Sequence, residues 1–168
     1  MTRRIAFLVL VTVALSSLVG ATLASLSDSQ VGQGEITVGV WSAPEGCSHG
    51  FWKNYPDAWG PTGYAPEAPE QTVGTVFVVP DEYGLDTDSL QAALVYEGGD
   101  DAAGGARILL RAAVAALLNA AHPDVDYPRT PEDVIASVNG ALATGLRGTM
   151  IALSEELDND NNLGCPFE

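Results

Sequence analysis

From Asp86 onward, apolar side chains recur at helical spacing in blocks that capping residues, glycine or proline separate. Asp86 to Val95 places Leu90, Ala93 and Leu94 on one face, and the run Gly98 to Asp101 ends that helix and starts the next. Ala106 to Ala121 is apolar nearly all round, with Leu110, Val114, Leu117 and Ala121 on one stripe and Ile108, Ala112 and Ala115 on another. A helix of that kind is normally the buried centre of its domain, and Pro123 stops it. Thr130, Pro131, Glu132 and Asp133 supply an N-cap, a proline at the first helical position and acids in the first turn. Val134, Val138 and Ala141, with Ile135 and Leu142, make the inward face of that helix, which Gly145 closes. A last helix from about Arg147 to Leu157 turns Met150, Leu153 and Leu157 inward.

The pattern before Asp86 differs. Ile36, Val38 and Val40 alternate with Glu35, Thr37 and Gly39, the period-two signature of a strand. Residues 42 to 72 are rich in proline, glycine and aromatic rings and predict little regular structure. Val73 to Val79 is a short apolar run that reads as a strand or a buried extended piece. The fold class expected is mainly α: a small helical domain with an extended aromatic N-terminal segment, one or two short strands and a terminal disulfide.

The first residues carry Arg3 and Arg4, then an apolar run from Ile5 that ends among small residues near Ala24. That is the layout of an export signal, expected to span residues 1–25, with a retained anchor helix as the alternative. Residues 26–45 then form an extended arm and residues 46–168 the folded domain. Arg3 and Arg4 also match the start of a twin-arginine signal, so the export route stays open between the two pathways. Export permits a disulfide. The chain holds 2 cysteines, Cys47 and Cys165, and they bracket the helical region. Free thiols or a metal site are the alternatives, and a lone pair of cysteines makes a poor metal site. A disulfide between them closes a loop of about 120 residues, for which the chain-entropy model gives up to ~5 kcal/mol.

The net charge is −15, with 22 acidic and 7 basic residues, and removal of Arg3 and Arg4 would deepen it. Lys53 is the one lysine. Such a charge opposes compaction in dilute buffer, whereas at 1 M salt the Debye length falls to about 3 Å. The composition therefore suits an acidic secreted protein, and more sharply a halophilic one. Nucleic acid is not expected as a partner and binding to an anionic membrane surface is disfavoured, because no basic patch is present to meet phosphates. No membrane insertion is expected after signal cleavage.

Candidate chemistry is sparse. His49 and His122, with Asp124 or Asp126, could hold a metal, but both sit beside turn residues and local hydrogen bonding is the plainer reading. Asp158 to Asn162 places oxygen ligands at alternate positions, like the start of a calcium loop. Leu163 stands where that loop needs glycine, so a polar helix end is the plainer reading. No metal and no cofactor are expected. Asn119, alone in an apolar helix, is expected to satisfy a buried backbone group. Ser48 and His49 lack the Gly-x-Ser-x-Gly elbow of a hydrolase, and no phosphate loop is present. Trp52, Tyr55, Trp59 and Tyr64 surround Lys53. They form either a mini-core beside the disulfide or an exposed platform for glycan or peptide.

Two resemblances follow from these segments. Gly20 to Asp28, followed by Gly34 to Trp41, resembles the N-terminus of the camelysin/TasA type, which a SipW-type signal peptidase cuts. The resemblance implies a cut near Ala24, Ser25 or Leu26 and an extracellular matrix or pilus role, in which a freed N-terminal strand completes the sheet of the next subunit. From Cys47 onward the chain is similar to a family of secreted proteins with no established activity. It shares a Cys-x-x-Gly-Phe-Trp-Lys opening at Cys47 to Lys53, the helix Leu109 to Ala120, the turn His122 to Pro128, and Gly164 to Pro166.

Together these readings predict a non-catalytic extracellular or cell-surface structural protein, whose partners are itself or other surface proteins. Its assembly strand would carry Ile36, Val38 and Val40. The alternative is a monomeric binding module that uses the platform of Trp52, Tyr55, Trp59 and Tyr64.

Overall fold

A computed structural model describes residues 42–168, so the expected export signal and the expected strand of Ile36, Val38 and Val40 lie outside the described residues. The described chain is mainly helical and has no sheet. Its helices are α1 (His49–Asn54), α2 (Val73–Val76), α3 (Leu90–Ala93), α4 (Ala102–Ala121), α5 (Pro131–Ala143) and α6 (Arg147–Asn161). Two 3₁₀ turns, Pro56–Thr62 and Asp81–Tyr83, link the short helices.

Helix α4 is the axis of the domain. Asp101 caps it by accepting from the Gly104 amide at 2.7 Å. Its side chains from Ala112 to Leu118 are sealed on every side, as the all-round apolar pattern predicts. By length and composition α4 could cross a bilayer, yet 72% of its apolar window is buried inside the domain. Residue Gly104 lets the preceding loop close over the helix: a Cβ there would stand 2.4 Å from the backbone of Gly99. Two guanidinium groups hold that loop by its carbonyls, Arg111 donating to Tyr96 O at 3.1 Å and Arg147 to Gly99 O at 2.9 Å.

Helices α5 and α6 cover one side of α4. Thr130 caps α5 through the Asp133 amide, with Pro131 at the first position. The inward residues Val134, Val138, Ala141 and Leu142 are all buried. Arg147 lies over Gly105, and Asn161 reaches Ala112 and Asn119, so α6 runs in the same direction as α4. Met150 and Leu157 point inward, and Leu153 packs at the margin of the core. The helix continues to Asn161, past the expected stop at Leu157.

Three local expectations are corrected. Residues 42–72 hold α1 and a 3₁₀ turn, because Ser48 caps α1 and Pro56 starts the turn with its fixed φ. Val73–Val79 is one helical turn and a short extended tail rather than a strand. Its amides at Val73 and Gly74 donate to Asp88 O and Asp86 O, and no neighbouring strand is there to pair with it. Among the described residues the only β pairing is two isolated bridges, Gly46 with Gly164 and Thr72 with Ser89. The helix expected over Asp86 to Val95 shrinks to Leu90–Ala93 behind its Ser89 cap.

Candidate functional site

The beginning and end of the domain meet over the C-terminal third of α4. Cys47 and Cys165 form a disulfide across 118 residues of sequence. Gly46 and Gly164 pair beside it, the Gly46 amide donating to Gly164 O at 3.0 Å. The approach is close enough that a Cβ on Gly46 would lie 2.1 Å from Asp160 O.

Asn119 locks this junction from below. Its Oδ1 accepts from the Cys47 amide at 2.8 Å and from Trp52 Nε1 at 3.1 Å. Its Nδ2 donates to Cys47 O at 2.8 Å and to Asn161 Oδ1 at 3.0 Å. An amide side chain can make four such bonds, and Asn119 makes all four while fully buried. Asn161 extends the network: its Oδ1 also accepts from the Tyr127 hydroxyl at 2.9 Å, and its Nδ2 donates to Ala112 O at 3.0 Å. Burial pushes the Tyr127 hydroxyl well above its ordinary pKa, with Asp160 adding to the shift. Arg129 Nε donates to Asp160 at 2.6 Å, a bond that raises the arginine further, and Glu156 stands 3.7 Å away at the solvent edge. The expected role of Asn119 holds, since it serves both backbone groups of Cys47.

The four platform rings are not one surface. Trp52 is fully buried and Trp59 is 1% exposed, the latter donating Nε1 to Trp52 O at 3.0 Å. Each indole N–H finds a partner inside, which removes the reason for either to face water. Tyr64 is half-buried, and burial raises its hydroxyl pKa. Only Tyr55 is well exposed, at 57%.

A second set of rings replaces the expected one. Phe51 stacks on Tyr55, with centroids 4.9 Å apart at 29°, and on Phe167, at 5.7 Å and 21°. Phe167 is 42% exposed, and its ring meets His122 edge-on at 4.9 Å. These rings border a cleft of about 390 Å³, whose remaining walls include Asn54, Asp57 and Glu168. Phe51 follows Cys47 by four residues and Phe167 follows Cys165 by two, so the cystine itself is the sequence signal that joins them. A larger groove of about 540 Å³ between α5 and α6 is lined by Gly140, Gly148 and Ala152 and has no ring among its walls.

His122 is buried, and its Nδ1 accepts from the Asp124 amide at 3.2 Å, the local hydrogen bonding expected of it. Burial, then Arg111, hold the His49 imidazole below its ordinary pKa, against a smaller pull from Asp158. Among the described residues no three metal-ligating side chains gather. Asp126 is tied to the Ser42 hydroxyl. The stretch from Asp158 is the polar helix end expected of it: Asp158, Asn159, Asp160 and Asn161 are helical, and the helix sends Asp160 to Arg129 and Asn161 into the core.

Comparison with protein-family models, curated proteins and solved structures gives no match to this chain. The reading of function therefore rests on the geometry above and on the sequence.

Proposed function

We propose that this is a secreted or cell-surface structural protein, non-catalytic, that assembles with copies of itself or with other surface proteins through residues 34–41. The observation that carries the reading is the closure of the domain at Cys47 and Cys165, with Gly46 and Gly164 paired beside it. A pull between the leading segment and the residues after Cys165 runs through the cystine. The helices between them carry none of that load. A covalently shorted domain of this kind suits a module held under tension in a matrix or at a surface. The strand added by Ile36, Val38 and Val40 pairs with its counterpart on another molecule, since residues 42–168 hold only isolated bridges. The low lysine content and net charge of −15 suit assembly in concentrated salt, where repulsion between copies is screened.

Light scattering on the mature protein in molar salt tests this. The expected result is a defined oligomer or polymer, which deletion of residues 26–41 converts to a folded monomer. Assembly that survives the deletion, or a mature protein that is monomeric throughout, removes the reading. The alternative, a monomeric binding module, is favoured by one specific feature, the exposed rings of Tyr55 and Phe167.

A further inference from the structure

We infer that the cleft between Tyr55 and Phe167 is a binding site for neutral pyranose glycans. The cleft encloses about 390 Å³, toward the small end of the range for ligand pockets, and suits one or two sugar rings. Three of its five apolar walls are aromatic rings, the others being Pro56 and Ala58, and Phe51 lies within 29° of Tyr55 and 21° of Phe167. Phe51 covers one face of each outer ring and fixes its tilt, and the exposed surface of Tyr55 and Phe167 is where the C–H face of a pyranose can stack. Cages for organic ammonium groups instead surround the cation with walls set at angles to one another.

The rim supplies the polar half of the recognition. Asn54, Asp57 and Glu168 border the rings. Among the described residues no hydrogen bond uses their side chains or the Tyr55 hydroxyl, although nearby Trp52, Trp59, His122 and Asn119 are all engaged. Carboxylates and an amide placed around an aromatic face accept from sugar hydroxyls, and charge-assisted bonds of this type are the stronger ones. Charge then selects among glycans. Two carboxylates at the rim, on a chain of net charge −15, oppose uronic acids, sulfates and phosphates. Neutral sugars carry no such penalty.

Tyr55 and Phe167 are exposed before any ligand arrives, and Phe51, 6% exposed, backs both from the core. The site is thus preformed, which limits the ordering cost of binding.

Saturation-transfer NMR on the mature disulfide-bonded protein, with cellotetraose, chitotetraose and mannotetraose as probes, tests the inference. At least one should bind at millimolar concentration or better, with saturation strongest on the ring C–H protons. Tyr55→Ala and Phe167→Ala should each weaken that binding at least tenfold, and Tyr55→Gln should do the same while keeping a polar side chain without the ring. Near-UV circular dichroism from the buried Trp52 and Trp59 should be unchanged in all three, which separates a lost site from a lost fold. Polygalacturonate should bind at least tenfold more weakly than the best neutral probe. Silence from all three probes overturns the inference, as does binding that persists without the two rings. Tighter binding of tetramethylammonium, of an aromatic peptide or of polygalacturonate overturns it equally.

Discussion

Trp52 and Tyr55 stand three residues apart, one on α1 and one just past its end, and they have opposite fates. Trp52 is sealed against α4, with its N–H on Asn119 and its carbonyl taken by Trp59. Tyr55 is 57% exposed, its ring laid on Phe51 and its hydroxyl in no hydrogen bond among the described residues. The two neighbourhoods share a helix and a disulfide, yet the Trp52 indole and the Asn119 amide have all their polar atoms paired, whereas the side chains of Asn54, Asp57 and Glu168 and the Tyr55 hydroxyl are uncommitted among the described residues. Composition cannot separate them, since both are aromatic rings in the same short polar and aromatic stretch, Phe51 to Asp57. Hydrogen-bond completeness does: a buried network is favourable only when all its members are satisfied, whereas groups meant for a ligand must wait unpaired in water.

That contrast can be broken from the structural side first. Replacing both cysteines, Cys47→Ser with Cys165→Ser, should produce the largest loss of stability, up to ~5 kcal/mol for a loop of this length. Denaturant unfolding in molar salt measures it, and a shift of the midpoint under a quarter of that size would show the helices need no staple. Next in size is Asn119→Ala, expected to cost roughly 3–4 kcal/mol, because it leaves the Cys47 amide, the Cys47 carbonyl and the Trp52 N–H buried without partners. The same unfolding experiment reads it out, and a near-neutral result would mean that water replaces the amide.

A smaller effect should come from acid. Burial and Arg111 lower the His49 pKa in the folded chain, so the unfolded chain takes up the proton more readily. Stability present above about pH 6.5 is then lost as the pH falls through the lower folded value. The midpoint of unfolding should drop over that window, and part of the drop should vanish in His49→Gln. Identical pH profiles for the two proteins would remove His49 as the cause. Tyr55→Ala and Phe167→Ala should have the smallest effect, within about 0.5 kcal/mol, as expected for exposed positions. A large destabilisation there would place the outer rings in the core with Trp52 and dissolve the comparison.

Much of the helical architecture was legible beforehand. Thr130 with Pro131 marked the start of α5, and the unbroken apolar run marked α4 as the centre, because both signals are local. The misjudged segments are short ones. Val73–Val79 carries β-rich residues but is decided by the carbonyls of Asp86 and Asp88 that its amides reach. The stretch from Asp158, by contrast, is the polar helix end expected of it, and its periodicity sends Asp160 and Asn161 to opposite tasks.

Of the site, the sequence alone determined that Asn119 must serve buried backbone and that Cys47 can pair with Cys165, since an amide in an apolar helix and a lone pair of cysteines, a poor metal site, leave few other outcomes. Which aromatic rings would face water was decided only by tertiary structure. Burial of a ring depends on whether a partner for its N–H or O–H lies within reach, and Asn119 reaches Trp52 only once α1 has docked on α4. Likewise Phe167 joins Phe51 only after the disulfide has brought the two ends of the chain together.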